Sequence, residues 1–276
     1  MKFSISLACA YLGLIVPSGF GQSLGVSSFS RIGPAPGQYT VSYTVTVPPI
    51  PFMILQGHPY SGEQIHQQTQ TLADGTLTEQ PGPSAMTYRD SAGRTRTERR
   101  ILRPMTANPV DLPVVPEIFD PVAGYNYYLD PVNRIAHRMV LPRESIKIQS
   151  PTPRITYPAS TMTGTDRTST SEPLGTKMIE GIEVQGRRMT TTYAVGAIGN
   201  DRPIVTTTEL WTSPDLGLTV LSKISDPRTG DSINAIINIS QAEPDPALFQ
   251  IPQAYKVVDE QTVPFTFTIS NAPATK

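Results

Sequence analysis

Cysteine is nearly absent from this chain: Cys9 is the only one, and it lies inside an apolar run near the N-terminus. Beyond that run no disulfide can form, and no metal can be held by thiolates. Charge is scarce as well. Asp, Glu, Lys and Arg make up 16% of the residues, against about 25% in an ordinary globular domain. Leaving out Lys2, 21 basic residues face 23 acidic ones, a net of −2. That balance argues against a nucleic-acid partner, which calls for a strongly basic surface. Only one long apolar run exists, Ile5 to Val16, shorter than the roughly 20 residues a membrane-spanning helix needs. After it, no capped apolar stripe of helical period occurs. At most one or two short helices are expected, around Pro246 to Phe249 and in the 196–203 connection.

Chemical signatures are missing too. There is no Gly-x-Ser-x-Gly elbow, no Ser-x-x-Lys, no phosphate loop and no dinucleotide fingerprint. His58, His66 and His137 have no second ligand at metal-binding spacing, and a zinc site needs three or four. Asp226 and Asp231 flank a turn with too few oxygens for calcium. The chain is read as non-enzymatic, with no cofactor and no metal.

What is present begins with an address. Lys2, the apolar run, the break at Pro17-Ser18 and the small residues Gly19 and Gly21 have the layout of a secretory signal. Cleavage is expected after Gly21. Ser6 stands where a lipid-anchoring cysteine at position 9 would require Leu, so a lipoprotein is not expected. The predicted location is exported, periplasmic or extracellular, with no transmembrane span in the mature chain. A Gly/Ser/Pro-rich leader is expected over 22–38. One β domain is expected over 39–255, and a tail over 256–276.

Proline is abundant, 28 of 276 residues, about twice the usual share of roughly 5%. Excluded from helix interiors and central strands, it implies many turns. Tyr39, Val41, Tyr43, Val45 and Val47 alternate with Thr and Ser, which predicts a strand with one buried face. Asp74-Gly75, Asp90-Ser91-Ala92-Gly93, Asp130-Pro131-Val132-Asn133 and Asp226-Pro227-Arg228-Thr229-Gly230 each separate two strand-like runs and predict hairpins. The pattern Asp-x-x-Gly/Asn-Arg at 90–94 and 130–134 reads as one turn chemistry used twice. Residues 142–175 hold five prolines and twelve Ser or Thr, and predict an exposed, partly disordered insertion. The fold expected is mainly β: an open, curved antiparallel sheet, a half-barrel-like meander of about seven to ten strands.

Several phrases together resemble a family of uncharacterised secreted bacterial proteins. They are Leu72 to Gly75, Tyr88 to Arg96, Gly175 to Gly186, Glu209 to Leu218 and Glu243 to Pro252. The order of the closing strands more loosely resembles the periplasmic lipoprotein-carrier and sigma-factor-regulator half-barrels, where an open sheet curls around an apolar hollow. This second resemblance implies fold and export, and carries no site residue with it.

Two candidate sites follow. Arg94, Arg96 and Arg100 share one strand face and could bind an anion, because guanidinium forks match phosphate. The alternative is a solvated strand whose charges block edge pairing. Tyr193, Trp211, Val220, Ile237 and Ile239 could line a cavity for an apolar ligand, with Ile233, Ala235, Ile237 and Ile239 on one face. The alternative is an ordinary sheet core. The function expected is a non-enzymatic exported binding module, for a lipid-like or apolar ligand. A structural or protein-interaction module of the cell envelope, with an envelope protein as partner, is the alternative.

Overall fold

The computed structural model describes residues 25–32, 38–46, 52–82, 84–99, 113–142, 146–149, 158–261 and 264–271. The expected signal segment, Cys9 and Arg100 lie outside the described residues. The chain is mainly β. Its strands are β1 (Gly25–Ile32), β2 (Tyr39–Thr46), β3 (Phe52–Leu55), β4 (Tyr60–Thr71), β5 (Leu77–Pro81), β6 (Ala85–Arg89) and β7 (Thr95–Arg99). Next come β8 (Val115–Asp120), β9 (Tyr125–Asp130), β10 (Ile135–Val140), β11 (Ile146–Gln149), β12 (Ser160–Thr163), β13 (Arg167–Ile179) and β14 (Ile182–Tyr193). The last are β15 (Ile204–Ser213), β16 (Leu218–Asp226), β17 (Gly230–Ser240), β18 (Lys256–Asp259) and β19 (Phe265–Ser270). One short 3-10 helix, Pro246–Phe249, precedes β18 and is N-capped by Asp245. The connection at 196–203 forms turns rather than a helix.

Fourteen strands form one open sheet in the order β12-β13-β14-β15-β16-β17-β4-β6-β7-β8-β9-β10-β18, with β5 beside β4. The count exceeds the seven to ten expected in part because β12, β13 and β18 run through stretches read as insertion and tail, while β1 of the leader stretch joins a separate sheet. Strand β1 pairs along the whole of β2. Strands β12 and β13 pair within 160–171, where Thr and Ser suit a pleated surface as well as a loop. Strand β18 pairs in parallel with β10, and β19 pairs with β2.

Aspartate turns make the meander. Asp120 accepts from the backbone N–H groups of Val122 and Ala123, and Asp130 does so from Val132 and Asn133. Asp226 accepts from Arg228 N, Asp90 from Arg94 N and Asp74 from Thr76 N. A short carboxylate thus closes each loop onto its own backbone, an Asx turn. The residue four after Asp120, Asp130 and Asp226 has positive φ in every case: Gly124 at 81°, Arg134 at 54° and Gly230 at 86°.

The sheet is covered unevenly. At its β8–β10 end, the small sheet β1-β2-β19 forms a second layer. Tyr39, Val41, Tyr43 and Val45 of β2 and Phe265, Phe267 and Ile269 of β19 pack there against Val115, Tyr128, Met139 and Leu141. The opposite face of that end carries Ile118, Leu129 and Ala136, met by Ile251 and Tyr255 from the segment after the 3-10 helix. The far halves of β13 to β17, with β4 and β5, are different. Among the described residues no buried apolar cluster is centred there. This part is a single-layer wing of Thr, Ser, Gln and charged residues. Rows of hydroxyls cross it, such as Thr161–Thr170–Thr190–Thr207–Ser225.

Arg134 is the only one of the three equivalent turn residues that is not glycine. Arg134→Gly is expected to raise stability by roughly 0.5 kcal/mol, since relief of left-handed strain slightly exceeds glycine's entropy cost. Gly230→Ala is expected to cost about 2 kcal/mol or more, because strain adds to a collision of the new Cβ with the Thr69 carbonyl. Calorimetric scans of both variants check this; a destabilised Arg134→Gly would contradict it.

Candidate functional site

The arginine-rich strand lies on β6 and β7, in the middle of the sheet. Arg94 is held by Asp90, with Nε to Oδ2 at 2.6 Å, and its guanidinium lies over the Phe249 ring. Arg96 donates from Nε to Glu98 at 2.6 Å and from Nη1 to the Leu248 carbonyl at 2.9 Å. Both side chains are largely covered, 26% and 14% exposed. Beside them, Glu243 accepts from the backbone N–H and hydroxyl of Ser91. These internal contacts weigh against the anion-patch reading at Arg94 and Arg96. Arg96 through Leu248 and Arg94 through the Phe249 ring hold the Pro246–Phe249 turn onto the sheet.

Arg89, which was not among the candidate site residues, is more deeply buried, at 3% exposure. It donates to the carbonyls of His58 (2.9 Å) and Leu216 (2.8 Å) and lies over the Tyr60 ring. Burial lowers its pKa, with Tyr60 opposing. It links β6 to the turn between β15 and β16, closing one end of the sheet's apolar face.

That apolar face holds Trp211 and Val220 with Tyr60, Ile182, Val184, Leu216, Leu218 and Ile236, and Ile239 packs against it. Two of the five expected residues fall elsewhere. Trp211 pairs with Gly186 and Tyr193 with Ile204; seven positions along β14 place Tyr193 on the opposite face. Ile237 is displaced by a bulge. Asn238 has φ 54° and the β17–β4 register shifts between Ile237 and Ser240. Alternation breaks there, so Ile236 and Ile239 serve the cluster together. The Trp211 ring lies on Gly186, where a Cβ would collide with it, and the Lys177 ammonium caps it at 3.6 Å from the centroid. Trp211 is only 7% exposed and Val220 fully buried. These side chains fill the face as core.

Sequence reasoning missed a buried polar row between the two layers. Register places Glu117 opposite Tyr128, and Tyr128 opposite His137. Tyr128 Oη donates to Glu117 Oε1 at 3.1 Å, and Asn126 Nδ2 to the same oxygen at 3.3 Å. Burial, then Glu117, raises the Tyr128 pKa well above its ordinary value. His137 Nδ1 is 2.7 Å from Glu260 Oε1, and its ring stacks on Phe267, which also stacks with Tyr43. A signal existed in Val115-x-Glu117-x-Phe119, a carboxylate at an inward position of an apolar alternation. The row offers no exposed nucleophile or acid–base pair. Among the described residues no group of three or more His, Cys, Asp or Glu could hold a metal. No helix there is long and apolar enough to cross a membrane. A shallow cleft at the β10–β18 edge is lined by Tyr125, Arg138, Met139, Asp259 and Glu260. Arg138 is already committed to Asp259 by two hydrogen bonds.

No protein-family model and no curated protein matches the chain. Solved structures similar to it include the Pseudomonas aeruginosa MucA/MucB complex, at 11% identity and a TM-score of 0.35, over 74% of this chain and 59% of that one. A crystal structure of MucB has 11% identity and a TM-score of 0.33, over 74% and 60%. A putative outer membrane lipoprotein-sorting protein domain from Vibrio parahaemolyticus has 7% identity and a TM-score of 0.22, over 70% and 89%. The chain spans about three-fifths of the MucB chains it matches. The likeness to lipoprotein-carrier-like folds is loose, and no functional residue is transferred from it.

On the wing, Arg188 hydrogen-bonds both Glu172 and Glu209, and Arg228 hydrogen-bonds Asp226. Arg188 thereby lowers the Glu209 pKa, and Arg228 lowers that of Asp226. A carboxyl depressed in the folded state stabilises it above the unfolded pKa, and that contribution fades as pH falls through the folded value. Stability is therefore expected to decline below about pH 4.5. Glu209→Gln with Asp226→Asn should flatten that decline in urea midpoints measured from about pH 6 to pH 3. An unchanged slope would contradict the assignment.

Proposed function

We propose that this protein is a non-enzymatic, exported module of the cell envelope that acts by binding a protein partner. The observation that carries this reading is the single-layer wing. It is a broad polar surface, partly exposed along most of its strands among the described residues, with no buried apolar cluster of its own. Flat, polar, hydrogen-bonding surfaces suit a protein partner and give an apolar ligand little to bury. Export rests on the N-terminal pattern of Lys2, the apolar run and Gly19-Phe20-Gly21.

The lipid-like ligand is the second reading, favoured by the apolar face around Trp211 and Ile239. It is weakened by the burial of Trp211 and Val220 beneath the chain's own Tyr60 and Leu216. Arg94 and Arg96 are read as serving the fold rather than an anion, because Arg94 Nε is engaged by Asp90 and Arg96 Nε and Nη1 by Glu98 and the Leu248 carbonyl.

Two measurements separate the readings. A photo-crosslinking residue at Thr190 or Thr207, on the wing, is expected to give one discrete protein adduct in the periplasm of the native host. The same residue at the exposed Val122 turn should give none. Native mass spectrometry of the exported protein, purified without detergent, is expected to show the bare chain mass. A satellite peak removed by organic extraction, with no adduct at the wing, would replace this proposal by the apolar-ligand one.

A further inference from the structure

The hairpin of β13 and β14 runs past the strand beside it. Strand β15 pairs with β14 only from Gln185 onward, so residues 176–184 form an arm beyond that ladder. At the base of the arm Gly175 lies opposite Gly186, and the β13–β14 register shifts between Pro173 and Gly175. Gly175 has φ 79°, a left-handed conformation that glycine adopts without penalty. Gly186 lets the Trp211 ring lie directly against the backbone. Two glycines facing each other beside a bulge leave no side chains to brace the bend, which makes this the hinge of the arm.

The arm leans across the apolar face. Ile179 pairs with Ile182 and Lys177 with Val184, so these four share one side of the arm. Ile182 and Val184 are buried in the cluster of Trp211, Leu218 and Val220, Ile179 packs against it, and the Lys177 ammonium lies over Trp211. Met178, on the other side, is 63% exposed. At the tip, Glu180 Oε2 accepts from Asn238 N at 2.9 Å. Asn238 lies on β17, three strands from β14 in the sheet order, a separation of about 14 Å between strands lying side by side. A hairpin folded over the face closes that distance. Both ends of the contact are strained. Glu180 has φ 51° and Asn238 φ 54°, two of the three non-glycine residues with positive φ among the described residues. Glu180-Gly181 is a two-residue turn with both φ positive, where Asn or Asp ordinarily takes the first place. A glutamate there gives up local fit for a tether to β17, and strain of this kind collects at clamps and switch regions.

We infer that residues 176–184 are a hinged lid, bent at Gly175 and Gly186 and clasped by Glu180 on Asn238, that covers the apolar face when closed and bares it when the clasp opens. Opening breaks one hydrogen bond and lifts Lys177, Ile182 and Val184 off Trp211, while the ladder between β14 and β15 stays whole. Buried aliphatic side chains favour the closed form. The open form is therefore a minor population, which a ligand of the bared face would enlarge. The lid is independent of a protein partner on the wing. It bears on the apolar-ligand reading, because it is a route by which the buried Trp211 becomes accessible.

The substitution Glu180→Ala, at an exposed position, tests the clasp. Trp211 is the chain's only tryptophan, and its indole nitrogen is buried, so its N–H is a single reporter beneath the lid. Hydrogen exchange at that N–H is expected to speed up about fivefold, as befits the loss of one hydrogen bond to a carboxylate. Backbone amides of Thr190 to Tyr193, past the hinge on the same strand, should keep the parent's rates. The dye 1-anilinonaphthalene-8-sulfonate serves as the apolar probe. Its apparent affinity should rise by the same factor, because a probe that binds only the open form gains in proportion to that form's population. Unchanged exchange at Trp211, acceleration shared equally by Thr190 to Tyr193, or faster exchange with no gain in dye affinity would each overturn the inference. The wing crosslinks at Thr190 and Thr207 report separately on the protein partner.

Discussion

Everything in this molecule is arranged around one packing event, the seating of β2 and β19 on β8, β9 and β10. There, two sheets meet face to face with aromatic and aliphatic side chains between them. Each such side chain, fully buried, contributes about 1.5–3 kcal/mol. The strands that make the upper layer come from opposite ends of the chain: Tyr39 hydrogen-bonds Asn271, and Ser270 reaches the Tyr39 carbonyl. The layer therefore closes a loop of more than two hundred residues, and the ordering cost of that loop grows only slowly with its length. The wing depends on this anchor. Its strands are held by ladder hydrogen bonds and cross-strand pairs worth about 0.2–1 kcal/mol each, with no apolar layer behind them.

That asymmetry explains where the arginines go. A strand near the junction of anchor and wing needs its edges and its neighbouring turn fixed, and Arg94, Arg96 and Arg89 do so by binding carbonyls and carboxylates within reach. The same guanidinium geometry that suits a phosphate suits a helix-end carbonyl beside a carboxylate. Sequence alone does not distinguish the two uses, because the acceptors Leu216 and Leu248 are backbone groups more than a hundred residues away.

Much of the fold was legible. Alternation located β2, and the Asp-led turns located the β6–β7, β9–β10 and β16–β17 hairpins, since a short carboxylate and a positive-φ residue are local requirements. Tyr193 and Ile237 were misplaced on the apolar face for definite reasons. Tyr193 shares its strand with Val184 but not its parity, and the bulge at Asn238 resets the alternation. Strands β13, β18 and β19 were missed because Thr/Ser-rich and terminal segments pair through backbone groups that carry no side-chain signature. The buried Glu117–Tyr128–His137 row depends on the register among β8, β9 and β10 and on a second layer supplied by the chain termini. Neither is visible in a local window.

The central claim is that stability is concentrated in the two-layer end and that the wing is an ordered but thinly supported extension of it. Hydrogen exchange resolved to single amides tests this most directly. The account predicts that amides of β2, β9 and β10 exchange only through global unfolding, while those of Thr190 to Tyr193 and Ile204 to Thr208 open locally and exchange orders of magnitude faster. Equal protection across the wing and the two-layer end would contradict it.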